Sequence, residues 1–170
     1  MTERFETENL FMMLKKISWN LSAQLEVRLG DEEVSGTQVY FLVYLLRHHP
    51  QGTYLTELSR EIGLSKSTLS ALIKRLRKSG YLCFGKTPGD VRKKQVCPTE
   101  KLLAEQEEFF RRTSRMEAEF DKSLSSREQQ QLWNLGQKLL RQLMQTESEE
   151  TKKDRRLFES EERNTAVKAI

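Results

Sequence analysis

The stretch "GLSKSTLSALIKRLRKSGYL", residues 63–82, has the two-sided pattern of an amphipathic helix. Its apolar side chains recur at spacings of three and four, at Leu69, Leu72, Ile73 and Leu76. The opposite side begins with small hydroxyl residues and continues with cations. Two interpretations fit this pattern: a surface that binds something negatively charged, and an ordinary solvated helix face.

The residues on either side of this stretch predict a winged helix-turn-helix. Before it, "TELSREIG" (56–63) predicts a short helix that Thr56 caps and Gly63 ends, and Ser65 can cap the helix that follows. After it, "YLCFGK" and "KQVCP" predict two strands joined by the turn "TPGDVRK". A short helix, a turn, a longer helix and a hairpin follow one another in the order of a winged DNA-binding domain.

Positive charge is concentrated in this part of the chain. The protein has a net charge of +4 over 170 residues, and residues 65–94 contain nine cations and one acid. The cations are Lys66, Lys74, Arg75, Arg77, Lys78, Lys86, Arg92, Lys93 and Lys94, and the acid is Asp90. A solvated face usually mixes both signs, as residues 147–163 do. The concentration of cations in residues 65–94 therefore favours a polyanionic partner.

Long helices are predicted on both sides of the winged segment. Apolar periodicity predicts one over residues 5–29, an internal helix from Ser35 or Thr37 to about Arg47, and two more after Thr99. We therefore expect a mainly α fold with a small β-hairpin wing, in which long terminal helices dimerise. The predicted domains are an N-terminal dimerisation helix (1–34), the winged helix-turn-helix (35–99), C-terminal dimerisation helices (100–146) and a charged tail (147–170), either helical or disordered.

The sequence resembles the MarR family of bacterial transcription regulators. The resemblance is carried by "LTELSREIGLSKSTLSALIKRLRKSGYL" and by "DVRKKQVCPTEK", which has Asp90, Arg92 and Thr99 at the spacing of the family's wing. It implies a homodimer that presents two winged domains to a pseudo-palindromic duplex. It also implies a repressor that is released by a small phenolic or other anionic effector, or by thiol oxidation.

The resemblance and the charge pattern together predict the residues that meet DNA. Recognition-helix contacts are expected from Ser65, Lys66, Ser67, Thr68, Ser70, Lys74 and Arg75, and wing contacts from Lys86, Arg92, Lys93 and Lys94. Arg92 resembles the minor-groove arginine of the family. Asp90 resembles the residue that orients the wing, by pairing with Arg75.

Two further groups of residues have alternative interpretations. A hairpin centred on Asp90 places Cys83 opposite Cys97, so the pair is either a redox switch or two small apolar strand residues. Four aromatic residues, Trp19, Tyr40, Phe41 and Trp133, either line an effector pocket or belong to the core and the dimer interface.

Other functional classes have little support in the sequence. We find no catalytic or phosphate-loop motif, no metal-ligand spacing and no cofactor motif, and the longest apolar run, Val39–Leu46, is too short to span a membrane. The acidic N-terminus and two cysteines favour a cytoplasmic protein. Besides a DNA-binding regulator, two hypotheses remain: a winged-helix module that binds an acidic protein, and an architectural DNA binder without an effector.

Overall fold

The helices and strands of the chain follow the order that the sequence predicts. A computed structural model describes the backbone of residues 7–85 and 94–167, and the side chains of these residues as far as 146. The elements are α1 (Thr7–Leu29), α2 (Gly36–His48), β1 (Thr53–Tyr54), α3 (Leu55–Ile62), α4 (Lys66–Lys78), β2 (Leu82–Gly85), β3 (Gln95–Pro98), α5 (Glu100–Asp121) and α6 (Ser126–Val167). The predicted mainly helical winged fold is confirmed. Within these described residues, no helix is both long and apolar enough to cross a membrane.

The chain divides into two units, Met1–Ser123 and Leu124–Ile170. The first unit contains a hydrophobic core built around α2, which is buried on several sides, as expected for an internal helix. The core side chains come from α1, α2, α3, α4, the strands and α5: Leu25, Leu29, Val39, Leu42, Leu45, Leu58, Leu69, Ile73, Leu76, Leu82, Val96, Leu102 and Phe109.

The start of α2 is held by a capping box and by close contact with α1. Ser35 Oγ accepts the N–H of Gln38 at 3.3 Å, while Gln38 Oε1 accepts the N–H of Ser35 at 2.9 Å. Of the two caps predicted for this helix, the structure therefore uses Ser35. The next residue, Gly36, lies against the α1 backbone, where a Cβ would come within 2.0 Å of the Leu25 carbonyl oxygen.

The strands form a three-stranded antiparallel sheet in the order β1-β3-β2. The β2–β3 hairpin was predicted, whereas the pairing of β1 with β3, which sets Thr53 opposite Val96, was not. The predicted helix cap at Thr56 is wrong, since α3 begins at Leu55 directly after β1. The hydroxyl of Thr53 instead donates to Glu57 Oε2 at 2.8 Å. Pairing of β1 with β3 leaves no loop in which Thr56 could act as a cap.

Helix α3 is fastened to the end of α2 by a cluster of polar side chains. The carboxylate of Glu61 is 2.7 Å from His49 Nε2 and accepts the hydroxyl of Tyr44 at 3.0 Å. The hydrogen bond with His49 is the main cause that lowers the pKa of Glu61. Because α3 is the first helix of the helix-turn-helix, this cluster fixes its orientation against the core.

The second unit contains α6, whose backbone is helical from Ser126 to Val167. Ser125 caps it, since its Oγ accepts the Glu128 N–H at 3.4 Å while its own N–H donates to Glu128 Oε2 at 2.8 Å. Several large apolar side chains on α6 are exposed, namely Leu132, Trp133, Leu135, Leu139 and Leu143. This unit therefore carries apolar surface that its own residues leave uncovered.

Candidate nucleic-acid interface

Helix α4 is buried on one side and exposed on the other, as its sequence predicts. Leu69, Ile73 and Leu76 are at most 2% exposed and anchor the helix in the core, with Leu72 half-buried. Gly63, at φ 75°, makes the left-handed turn between α3 and α4. The side of α4 that faces away from the core is consequently held in a fixed orientation.

The first turn of α4 presents a group of hydroxyls. Ser65 caps the helix: its Oγ accepts the Thr68 N–H at 3.2 Å and donates to Thr68 Oγ1 at 2.9 Å. Ser65 is half-buried, whereas Lys66, Ser67 and Thr68 are exposed. The Ser65 hydroxyl also lies 3.1 Å from that of Ser67, so Ser65 organises the helix tip, while the side chains of its neighbours remain exposed to a ligand.

The cations farther along α4 are exposed. Lys74, Arg75 and Arg77 all project from the open side of the helix, as does Ser70. None of the three cations forms an ion pair with a side chain in the described part of the chain. An exposed helix face with several unpaired cations produces a positive potential that attracts polyanions.

The wing strands meet α4 in a cation–aromatic cluster. Phe84 of β2 lies under Arg77, whose Cζ is 3.9 Å from the ring centroid, and Lys94 Nζ is 5.3 Å from the same centroid. In the sequence, Arg77 is one of the basic residues of the winged segment and has no specific predicted role. A phenylalanine at an outward position of a strand beside a basic helix is the sequence feature that could have indicated this contact.

Cys83 and Cys97 are register partners in the β2–β3 pair, as the predicted hairpin requires. Both are free thiols; Cys83 is exposed and Cys97 half-buried. The Cys83 thiol lies 3.6 Å from the Cys97 carbonyl oxygen. Burial, followed by the nearby Cys83, raises the pKa of the Cys97 thiol. A higher pKa leaves less of the reactive thiolate at neutral pH.

The middle part of the chain also matches a known family. Residues 33–93, which include α2, α3, α4 and β2, match the sequence profile of the MarR family. This winged-helix segment is similar to the MarR family. No curated protein matches the chain.

Solved MarR structures share the fold. A MarR protein from Peptoclostridium difficile superimposes with a TM-score of 0.67 at 20% identity, covering 86% of this chain and 94% of that chain. MepR from S. aureus, solved as a DNA complex, superimposes with a TM-score of 0.66 at 23% identity, covering 82% of this chain and 99% of MepR. PcaV from Streptomyces coelicolor, solved with its natural ligand, superimposes with a TM-score of 0.61 at 22% identity, covering 82% of this chain and 94% of PcaV. At these identities, the likeness establishes a shared fold.

Part of the wing that resembles the MarR pattern lies outside the described residues. The predicted contacts Lys86, Arg92 and Lys93 fall there, and so does Asp90, the proposed partner of Arg75. Thr99, the last residue of the MarR-like wing pattern, is described and caps α5, accepting the Leu102 N–H at 3.4 Å. Its hydroxyl donates to the Gly80 carbonyl at 2.6 Å, which ties the base of the wing to the end of α4.

The four aromatic residues predicted for a MarR-like effector pocket have different environments. Phe41 is buried in the core, and Tyr40 is 37% exposed and donates to Glu117 Oε1 at 3.0 Å. Trp19 is exposed on α1, with Lys15 Nζ 5.2 Å from the centre of its ring. Trp133 is exposed on α6, in the second unit. The effector pocket therefore stays a prediction.

Proposed function

We propose that this protein is a homodimeric transcription regulator. It represses transcription by binding a pseudo-palindromic operator, and a small effector releases it from that operator. The observation that carries the proposal is the open face of α4. Its small polar tip and its unpaired cations project from a helix whose other face is buried. MepR, which has the same fold, was solved bound to DNA.

In this proposal α4 lies in the major groove. Ser67, Thr68 and Ser70 are small enough for the helix tip to approach base edges, and the N-terminal N–H groups favour phosphate oxygens. Cations farther along the helix neutralise flanking phosphates and release counterions, so affinity should fall steeply with salt. The wing cations Arg92 and Lys93 would reach the adjacent minor groove.

Dimerisation is supported by the apolar surface of α1. Leu10, Leu14, Ile17 and Leu21 share one face of the helix and are each more than 40% exposed. The buried residues of α1 are Leu25 and Leu29, near its C-terminal end. A second copy of the chain would remove this apolar face from water, a common role for a large exposed apolar patch.

The dimer is tested by placing a charge on that face. Ile17→Glu should convert a dimer into a monomer in light scattering and weaken operator binding, because one winged domain would then bind alone. Lys16→Glu, on another face of the same helix, is the matched control and should stay dimeric. A wild-type monomer at micromolar concentration would contradict this part of the proposal.

The effector is proposed to be a small anionic or phenolic compound. Support comes from the partly exposed Tyr40 and Trp19, and from PcaV, which has the same fold and was solved with its natural ligand. Phenolic carboxylates should be screened for displacement of labelled duplex. Binding of the compound should quench tryptophan fluorescence. If Trp19→Phe or Trp133→Phe removes this quenching, the compound lies near the replaced tryptophan.

DNA binding itself is tested by selecting bound sequences from a random duplex pool and titrating salt. A recovered palindrome and a steep salt dependence would establish a sequence-specific regulator. A steep salt dependence without sequence preference would favour the architectural binder, and no binding at low salt would favour a module for an acidic protein. MarR-family proteins are transcription regulators rather than enzymes, so no catalytic step or cofactor is proposed, and the expected location is the cytoplasm.

A further inference from the structure

A cleft of about 410 Å³ opens between α4 and the wing strands. Its described lining combines apolar side chains, among them Leu55 and Ile73, with three long cationic side chains. Lys74 and Arg77 come from α4, and Lys94 comes from the residue before β3. The cleft therefore joins the helix and the wing strands in one basic site.

The three cations in this cleft repel one another. Among the described residues, no carboxylate lines the cleft and no ion pair joins any of the three to another side chain. The described lining also contains Ser70, whose hydroxyl is a neutral donor. Like charges placed together raise the free energy of the unliganded protein, and a bound anion would remove that repulsion.

Phe84 holds the cationic side chains at the cleft. The Arg77 guanidinium lies over its ring at 3.9 Å and Lys94 Nζ lies 5.3 Å from the ring centroid. Stacking on an aromatic face leaves the edge of a guanidinium free, and this edge carries its N–H donors. Arg77 is thereby restricted in position before any ligand arrives, which reduces the entropy lost on binding.

We propose that this cleft is a binding site for one phosphate group of the DNA backbone, with Arg77 as its central donor. Lys74 and Lys94 would neutralise the same phosphodiester, and the Ser70 hydroxyl would donate to one of its oxygens. Phe84 acts as a positioning residue that holds Arg77 by the stack. The inference rests on the proposed DNA binding and adds a contact that spans the recognition helix and the wing strands.

Exposure of the cations favours a DNA phosphate over a free small anion. Lys74, Arg77 and Lys94 are all exposed. A small ligand gains affinity by being largely buried, which this open cleft does not provide. A phosphodiester, in contrast, is held in place by the rest of the protein–DNA contacts. Ser70 and Lys74 also belong to the open face of α4, so a duplex on that face would bring its backbone to the cleft.

Three variants separate a specific phosphate contact from general charge. Arg77→Met removes the charge and keeps an unbranched apolar chain, whereas Arg77→Lys keeps the charge and loses the planar stack. Lys78→Met is the matched control, since it removes one exposed cation of α4 that does not line the cleft. Arg77→Met should weaken operator binding by at least about 10-fold and lower the salt slope by about one. Lys78→Met should weaken binding much less, and thermal melts should show that all three variants fold.

The decisive measurement replaces the operator phosphates one at a time by uncharged methylphosphonates. For the wild type, one position in each half-site should cause a large loss of affinity. Arg77→Met should lose much less affinity than wild type when that same phosphate is neutral, because its central contact is already absent and only Lys74, Lys94 and Ser70 remain. Phe84→Leu, which keeps an apolar side chain, should make operator affinity less sensitive to loss of charge at that phosphate. Lys78→Met should keep the wild-type sensitivity.

Three outcomes would overturn the proposal while leaving DNA binding intact. The first is an identical methylphosphonate profile for wild type and Arg77→Met, and the second is an equal loss of operator affinity in Arg77→Met and Lys78→Met. The third is stabilisation of the free protein by sodium phosphate that Arg77→Met abolishes while the methylphosphonate profile stays unchanged, which would assign the cleft to a free anion. If the wild type binds no duplex at low salt, the proposed function fails and the phosphate site fails with it.

Discussion

Arg47 and Glu117 form a two-pronged ion pair that joins α2 to α5. Arg47 Nη1 donates to Glu117 Oε1 at 2.7 Å, and Nη2 donates to Oε2 at 2.9 Å. The hydroxyl of Tyr40 donates to the same carboxylate at 3.0 Å. Hydrogen bonding by Arg47 is the main cause that lowers the pKa of Glu117, against the effect of partial burial. The pair thus couples the winged segment to the helix that follows it.

This ion pair predicts a loss of stability in acid. Because the pKa of Glu117 is lower in the folded than in the unfolded state, its contribution is complete above the unfolded pKa and disappears as pH falls through the folded pKa. Glu117→Gln should lower the free energy of unfolding at pH 7 by about 1 kcal/mol, since both side chains are about one-third exposed. The variant should also lose less stability than wild type on acidification, as measured by urea denaturation at several pH values.

Glu107→Gln provides the matched control on α5. Glu107 is exposed and forms no ion pair among the described side chains. Its replacement should leave the free energy of unfolding at pH 7 nearly unchanged. If Glu117→Gln and wild type lost stability equally between neutral and acidic pH, the ion pair would contribute nothing to folding.

The close approach of α1 and α2 at Gly36 predicts a strongly destabilising substitution. A Cβ at this position would come within 2.0 Å of the Leu25 carbonyl oxygen and 2.5 Å of the Glu26 N, both backbone atoms that cannot rotate away. Gly36→Ala should therefore lower the free energy of unfolding by at least about 2 kcal/mol. Gly136→Ala is the control: nothing lies within 4 Å of its added Cβ, and the better helix former should stabilise α6 by about 0.5–1 kcal/mol. A harmless Gly36→Ala would show that the two helices are not in close contact.

The two faces of α4 predict opposite consequences of substitution. Lys74→Ala should weaken DNA binding with a stability change of no more than about 0.5 kcal/mol, because the side chain is exposed. Leu69→Ala should destabilise the protein by about 2–5 kcal/mol, because its side chain is fully buried. Fluorescence anisotropy with labelled duplex and thermal melts measure the two effects separately.

Arg92→Ala in the wing, where the sequence predicts an exposed side chain, is also expected to weaken DNA binding without unfolding the protein. If Lys74→Ala or Arg92→Ala melts at a much lower temperature than wild type, the residue has a structural role and its assignment to DNA binding is wrong.

The opposed cysteines give a prediction about oxidation. The raised pKa of Cys97 keeps it protonated at neutral pH, and the protonated thiol is a poor nucleophile. Alkylation of Cys97 in a Cys83→Ser variant should accelerate as pH rises and should be faster in urea, where burial is lost. Brief treatment with hydrogen peroxide at pH 7 should leave DNA affinity the same in wild type and in Cys83→Ser. A disulfide that changes the affinity of wild type alone would establish the redox interpretation instead.

The local features of the fold were predictable because they depend on residues close together in sequence. The caps at Ser35 and Ser65, the left-handed Gly63 and the buried stripe of α4 all follow from spacings of three or four residues. Opposition of Cys83 and Cys97 follows from the symmetry of a hairpin. The error at Thr56 arose because a distant strand, β3, pairs with the residues just before α3.

By itself the sequence therefore determined the order of the elements, the winged helix-turn-helix and the open basic face of α4, since each is encoded in local periodicity, capping and charge. The tertiary structure decided which distant side chains meet. The Arg47–Glu117 pair, the contact of Gly36 with α1 and the stack of Arg77 on Phe84 join different elements, and no periodic pattern marks them. Such contacts depend on how packed elements are oriented, and that orientation is set by burial of the whole core rather than by any short stretch of chain.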